Sequence, residues 1–341
     1  MSHMAARSPY AADARLVCGK DSDEVVSLCV IGSRPFTRMK FVRGTALILN
    51  GFDLPGNDLT YIEYNDLLVA PGSDAALLFR EMLNQLATAW PRRWDEFLVP
   101  GVSDDAHIFD ELVDMPEAPV LGTIEIDDSA SYVDLATIRA DGGDYIASRS
   151  RNTRQQLRRA LRGYEQIGPL VLEVADSPAR AQEIFDELVE LHQAHWTELG
   201  QAGSFSSPDV RNAHRDLIGE TLDTGTIQLL RVTAGDQPVG CLYNFIERGH
   251  VQHYSSGLCY TDDRKLRPGW VTHYLAIQQS LDDGYDVYDF LAGPSQFKTS
   301  LSNGNRPMIW ARLQRPRLRF RAERFANQLR GKGSAEPDED P

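Results

Sequence analysis

The segment Arg264 to Lys298, RKLRPGWVTHYLAIQQSLDDGYDVYDFLAGPSQFK, concentrates residues able to do chemistry. Arg264, Lys265 and Arg267 stand just before Pro268, Gly269 and Trp270, where an amphipathic helix is predicted to begin. Backbone N–H groups in a first helical turn have no intrahelical partner and carry partial positive charge. Flanked by three cations, they form an anion site suited to a phosphate-bearing donor. The helix stops at Gly284, and Tyr285 to Phe290 reads as a strand of alternating polarity that contains Asp289. A Gly-Pro turn then leads to Lys298. Upstream, His253, Tyr254 and Ser255 share one predicted strand, and alternation prevents all three from addressing the same bound molecule. His192 and His195 share the inner face of an otherwise apolar helix. They lack a third ligand at zinc spacing, and packing explains them better than a role as catalytic bases.

The elements that must position these residues divide the chain near residue 147. Apolar runs at Val25–Ile31 and Thr45–Asn50, an alternating run at Tyr61–Ala70 and a short one at Phe97–Val99 predict strands. A helix is predicted over Ser73–Ala89, between Pro71-Gly72 and Pro91, and a strand over Val120–Ile126 after the Pro116 and Pro119 loop. In the second half, Ser148–Glu165 reads as a helix with Leu157, Ala160, Leu161 and Tyr164 on one face. Arg151, Arg154, Arg158 and Arg162 form a separate stripe. A strand at Leu170–Ala175 leads to a helix that Ser177-Pro178 opens and that ends near Leu199, because Ser caps and Pro suits the first turn. A second helix spans Pro208–Leu222. Strands at Thr226–Val232, Pro238–Glu247 and His250–Ser256 join through Ala234-Gly235-Asp236 and Arg248-Gly249, which suits a meander. The predicted order is βααβββαβ, closed by an arginine-rich end. Residues 1–13 are predicted to be disordered, with a cloning scar at the start, and the acidic tail 331–341 likewise.

Composition narrows the class. The 341 residues are 42% hydrophobic and 25% charged, ordinary values for a globular protein of two domains. No apolar stretch reaches the ~20 residues of a membrane span, and no signal peptide precedes the domains. Cys18, Cys29, Cys241 and Cys259 lack metal-ligand spacing and read as reduced thiols of a cytoplasmic protein. A net charge of −14 argues against a general nucleic-acid binder. Two arginine clusters stand out against that acidity, at residues 149–162 and 306–324. Each suits a solvated face, a contact with acidic protein surface, or a phosphate-bearing partner such as tRNA or a carrier protein. No GxSxG elbow, Walker loop, GxGxxG or HExxH occurs.

Four motifs in order, SRNTRQQLRRAL (Ser150–Leu161), LHQAHWTELGQAGSF (Leu191–Phe205), LRPGW (Leu266–Trp270) and YDFLAGPSQFK (Tyr288–Lys298), resemble the GNAT acyltransferase fold. The likeness is to the branch holding the FemABX peptidoglycan aminoacyltransferases and the CelD-like acetyltransferases. The resemblance implies a mixed α/β, α+β-type sheet and tandem GNAT-like domains, at 14–147 and 148–330, with the active site in the second. It implies acyl-CoA as co-substrate, held between two splayed parallel strands, His250–Ser256 and Tyr285–Phe290. The donor site is then Arg264, Lys265, Arg267, Gly269 and Trp270. Lys298 would stabilise charge, Asp289 would orient it or the acceptor amine, and His253 faces the reaction. His195, Trp196, Phe205, Tyr254 and Ser255 would line the acceptor side. No metal and no permanently bound cofactor is implied.

The chemistry implied is N-acyl transfer to a small-molecule amine, in envelope or natural-product precursors, by direct attack on the thioester. Holding both reactants in line supplies much of the acceleration. A backbone N–H on the first splayed strand polarises the carbonyl, and a base takes the amine proton. Of the several glycines usual in the GNAT loop only Gly269 is present. That leaves two alternatives: an aminoacyl-tRNA donor, as in FemABX enzymes, and a catalytically silent GNAT-fold binding module.

Overall fold

The computed structural model describes residues 14–39, 42–51, 62–89, 94–113, 121–293 and 295–323, with the backbone alone at 89 and 121–127. The expected terminal disorder and the turn residues Pro91, Pro116, Pro119 and Pro294 lie outside the described residues. Two compact units emerge, one of Asp128–Pro307 and one that combines the earlier residues with those from Met308 onward.

In the N-terminal unit, β1 (Arg15–Asp21), β2 (Glu24–Arg38) and β3 (Val42–Leu49) form an antiparallel meander. The two-residue β4 (Leu68–Val69) pairs with β2. Helix α1 (Ala75–Ala89) then leads to β5 (Glu96–Ser103), parallel to β3, and to the short α2 (Phe109–Val113). The alternating run at 61–70 forms almost no strand. Its polar residues instead tie the loop down: Asn50 Nδ2 donates to Asn65 Oδ1 and Asp66 O, and Asn65 Nδ2 donates to Leu49 O. Such side-chain bonds offer the backbone an alternative to a ladder.

The C-terminal unit opens with the end of β6 (Leu121–Asp134), followed by α3 (Leu135–Ala140), α4 (Tyr145–Ser148) and α5 (Arg151–Glu165). Next come β7 (Leu170–Val174), α6 (Pro178–Glu198), α7 (Pro208–Thr221), β8 (Ile227–Ala234), β9 (Gln237–Glu247) and β10 (His250–Leu258). Helix α8 (Pro268–Asp282), β11 (Val287–Ala292), α9 (Gln296–Leu301) and the first residues of β12 (Gly304–Gln314) complete it. From β7 to β11 the order is the predicted βααβββαβ. Helix starts follow their caps: Ser150 Oγ accepts the Thr153 N–H at 3.2 Å, and Ser177 Oγ accepts that of Arg180 at 3.4 Å. Helix α6 buries Ala181, Ile184, Phe185, Leu188 and His192 along one stripe against β8 and β9. Fully burying a side chain such as Leu188 stabilises by about 1.5–3 kcal/mol.

Strands β7 to β10 are antiparallel neighbours, β11 adds parallel to β10, and β6 adds antiparallel to β11. The N-terminal unit repeats this plan. A three-strand meander, a helix and a parallel strand are followed by an antiparallel one, because Met308–Gln314 of β12 pairs with β5. The tandem arrangement is thus a matter of strand order, which no sequence motif in the first half announces.

The units divide at 127/128 and 307/308, where the sequence suggested 147/148 and a continuous stretch to 330. Packing explains the difference. Val133, Leu135, Ile138 and Tyr145 share a core with Tyr288, Phe290 and Leu301, while Ile309, Ala311 and Leu313 join that of the N-terminal unit. The second arginine cluster is largely spent inside the latter. Arg315 donates to Leu86 O and Ala87 O and lies 4.4 Å over the Trp94 ring. Arg317 and Arg319 pair with Asp95, and Arg312 lies 3.8 Å from Glu96. Arg312, Arg315, Arg317 and Arg319 are thus structural ties within the N-terminal unit.

Candidate active site

Strands β10 and β11 pair at only three positions, His250 with Val287, Val251 with Tyr288 and Gln252 with Asp289. The pairing ends there, although β10 runs on to Leu258. Along its other edge β10 carries a bulge: His253 faces Asn244 and Ser255 faces Tyr243, leaving Tyr254 as the extra residue. The bulge shifts the phase of alternation, so His253 and Ser256 both face the gap between the strands. Tyr254 points into an aromatic cluster with His214, Tyr243 and Phe245.

The gap opens into a cleft of about 580 Å³. Its walls are His253, Ser256 and Leu258 of β10, Tyr260, Arg264 and Arg267 of the following loop, and Gly269, Trp270 and His273 of α8. Phe290, Phe297 and Lys298 close the far side.

The loop reaches its shape without a glycine run. Asp263 organises it, accepting Lys265 N–H on Oδ1 and Leu266 N–H on its carbonyl, both at 3.0 Å. Arg267 caps α8 in a left-handed conformation, φ 46°, ψ 68°, and its carbonyl accepts the Trp270 and Val271 N–H groups. Its guanidinium lies 4.8 Å over the Trp270 ring. A Cβ on Gly269 would meet Leu258 Cδ1 at 3.1 Å and Phe297 at 3.5 Å, so the missing side chain keeps the cleft open.

The floor is a buried polar array. Asn244, fully buried, donates from Nδ2 to Gln228 Oε1 at 3.0 Å, and its Oδ1 lies 3.2 Å from His253 Nδ1. The His253 ring meets that of His273 edge to face at 4.4 Å, and His273 Nδ1 lies 2.9 Å from Tyr288 OH. Lys298 Nζ donates to Leu291 O at 3.3 Å and Ala292 O at 2.5 Å, at the end of β11. Burial pushes His273 down to about 3, with the Lys298 charge adding to it. Burial, then His273 and Lys298, also hold His253 well below its ordinary value, so both imidazoles are neutral at pH 7. Among the described residues no cluster of three or more His, Cys, Asp or Glu is arranged to hold a metal.

Of the residues singled out in the sequence, His253, Arg264, Arg267, Gly269, Trp270 and Lys298 converge on this cleft. Lys265 is exposed outside its lining. Asp289 is buried behind it and accepts the Leu291 N–H at 2.6 Å, holding that residue at φ 62°. His195 stacks on Tyr260 at 4.4 Å, at the cleft's rim, with Trp196 beside it. Phe205 is fully buried against Phe185 and His192, in the core under α6. Ser255 is buried on the strand and, like Tyr254, is not part of the cleft wall. His192 is a packed core histidine: its Nδ1 lies 3.1 Å from Ser256 O and its Nε2 accepts the Ser204 N–H. Tyr260 and His273 carried no sequence signal of their own. Each reads as an ordinary apolar-face residue until the strands part.

Residues 151–299 match the family model of an acetyltransferase (GNAT) domain. The C-terminal unit thus carries an acetyltransferase (GNAT) domain over those residues, and the chain shares its fold with FemX. FemX is similar at TM-score 0.52 and 12% identity, over 86% of this chain and 87% of that one. L-PGS from Bacillus licheniformis is similar at 0.54 and 12%, over 93% and 87%. The C-terminal domain of a putative lysylphosphatidylglycerol synthetase from Agrobacterium fabrum is similar at 0.53 and 12%, over 89% and 84%. No curated protein matches the chain in sequence. Among the described residues no helix is long and apolar enough to cross a membrane.

Proposed function

We propose that the C-terminal unit is an N-acyltransferase that takes an acyl group from acyl-CoA and passes it to a small-molecule amine. The observation that carries this reading is the cleft where β10 and β11 part, with a helix start and two arginines at one end and His253 and Lys298 at the other. The α8 start with Arg264 and Arg267 takes the donor phosphates. The thioester lies in the gap, where backbone N–H groups that β10 no longer spends on β11 polarise its carbonyl. The amine nitrogen attacks the carbonyl carbon; the C–N bond forms, the C–S bond breaks and the thiolate leaves. His253, neutral at pH 7, accepts the proton the amine nitrogen loses and returns it to the thiolate. Lys298 holds positive charge beside the developing oxyanion, and His195, Trp196 and Tyr260 offer the acceptor an aromatic rim. Calorimetry with acetyl-CoA and longer acyl-CoAs tests the reading. Micromolar binding supports it, and a folded protein that binds none of them overturns it.

A second reading, with aminoacyl-tRNA as donor, rests on α5. Arg151, Arg158, Arg159 and Arg162 are exposed on it, and Gly163 lies against Leu266 of the cleft loop. The exposed basic stripe thus leads to the donor end of the cleft. Arg149 does not belong to it, since it is buried and donates to Leu301 O and Ser302 O. Transfer of a labelled amino acid from charged tRNA, abolished by ribonuclease, decides for this donor.

A further inference from the structure

Gln228 and Asn244, which lead to His253, have no place in the steps above, yet the direction of this buried chain is chemically informative. Asn244 is fully buried and Gln228 nearly so, both on neighbouring strands behind the cleft. Buried amides are positioned by their partners, and each amide end has one role, nitrogen as donor and oxygen as acceptor. Asn244 Nδ2 points to Gln228 Oε1, so its Oδ1 is the end turned to His253 Nδ1. An amide oxygen only accepts. The proton of neutral His253 therefore sits on Nδ1, and the lone pair is left on Nε2. The β9–β10 hairpin brings this about: its unbroken ladder from His250–Glu247 sets His253 opposite Asn244, with the ring on the cleft wall.

We infer that Asn244, oriented by Gln228, is a positioning residue that locks His253 in the tautomer with a proton on Nδ1 and a free acceptor at Nε2. This rests on the acyltransfer reading above for its purpose, though the tautomer itself does not. An imidazole in the opposite tautomer would present an N–H to the incoming amine and could not take its proton. The balance of the step is then fixed: Nε2 receives the amine proton while Nδ1–H stays on Asn244 Oδ1. The groups facing the ring are Asn244 from β9, His273 from α8 and Lys298 from α9, all of them neutral donors or acceptors except the lysine.

Nitrogen-15 NMR of the full-length protein, labelled in histidine, reads the tautomer directly at pH 7. His253 is assigned through the signal missing from His253→Gln. The expected result is one protonated Nδ1 and one unprotonated Nε2. A proton on Nε2 overturns the inference, because it means the amide chain runs the other way. Gln228→Glu gives a second readout: a carboxylate only accepts, so the inferred direction keeps the tautomer, whereas the reverse direction loses its donor and shifts it. Asn244→Asp keeps the acceptor and adds charge, which favours the imidazolium. The acid limb of kcat should then move to higher pH, while Asn244→Leu lowers kcat at least tenfold with the donor KM within twofold of wild type. An Asn244→Leu enzyme with wild-type kcat overturns the positioning role. If acyl-CoA fails to bind while the Nδ1–H tautomer is seen, the donor assignment falls and the tautomer assignment stands.

Discussion

Acid should weaken this protein through histidines that are neutral because they are buried. His214 is 1% exposed, with Nε2 3.0 Å from Tyr254 OH and Nδ1 3.4 Å from Tyr243 OH. Burial lowers it from 6.5 to about 4. The sign is set by the unfolded chain: between these values unfolded His214 binds a proton and folded His214 does not. Its contribution is present above pH 6.5 and is lost as pH falls toward 4. Between pH 7 and pH 5 the linkage integral for such a group is about 2 kcal/mol, and His273 contributes a similar loss of about 2 kcal/mol. His192 and His253 act in the same direction. His214→Gln removes the titration and keeps hydrogen-bonding capacity toward the two hydroxyls. Urea unfolding of wild type and His214→Gln at pH 7 and pH 5, followed by tryptophan fluorescence, measures the difference. The variant should lose about 2 kcal/mol less stability than wild type over that span. Equal losses in the two proteins refute the argument that burial holds His214 neutral.

Lys298→Met removes the donor to Leu291 O and Ala292 O, a loss of about 1–3 kcal/mol in stability. It also removes a charge that holds His253 and His273 down, so the acid limb of kcat should rise in pH, read from a pH–rate profile. Arg267→Ala should weaken acyl-CoA binding roughly tenfold by calorimetry and flatten its salt dependence. If Lys298→Met and Arg267→Ala both leave activity and every ligand affinity unchanged, a silent binding module is the better reading. Gly269→Val sends a branched side chain toward Leu258 and Phe297, so donor affinity should fall at least tenfold while the melting temperature stays within a few degrees. Leu188→Ala, in the core under α6, should cost about 2–5 kcal/mol with the cleft residues untouched.

The second half of the fold was legible because its signals are local. Caps at Ser150 and Ser177, a positive-φ turn at Arg248-Gly249 and the apolar stripe of α6 each announce an element in a few residues. The basic end of the cleft was legible for the same reason, since the loop before Pro268 is contiguous in sequence. The floor was not. His273 meets His253 only because β10 and β11 part, and Asn244 meets His253 only through the cross-strand register of the β9–β10 hairpin. Phe205 was misplaced because a Ser-Phe after a Gly-rich loop looks the same whether it lines a pocket or plugs a core. The strand at 304–314 hid inside an arginine-rich stretch, of which Arg312, Arg317 and Arg319 face carboxylates of the N-terminal unit.

The way β12 is shared has a consequence for synthesis. Most of the N-terminal unit emerges from the ribosome before the C-terminal one, but the strand that covers β5 follows only after residue 307. Until then β5 presents a bare edge, the kind of backbone that pairs with strangers. The C-terminal unit already has β6 to β11 by that time. Nascent chains should therefore show protease resistance first in the later-synthesised unit, and a chain stopped at residue 307 should leave the earlier one open to aggregation.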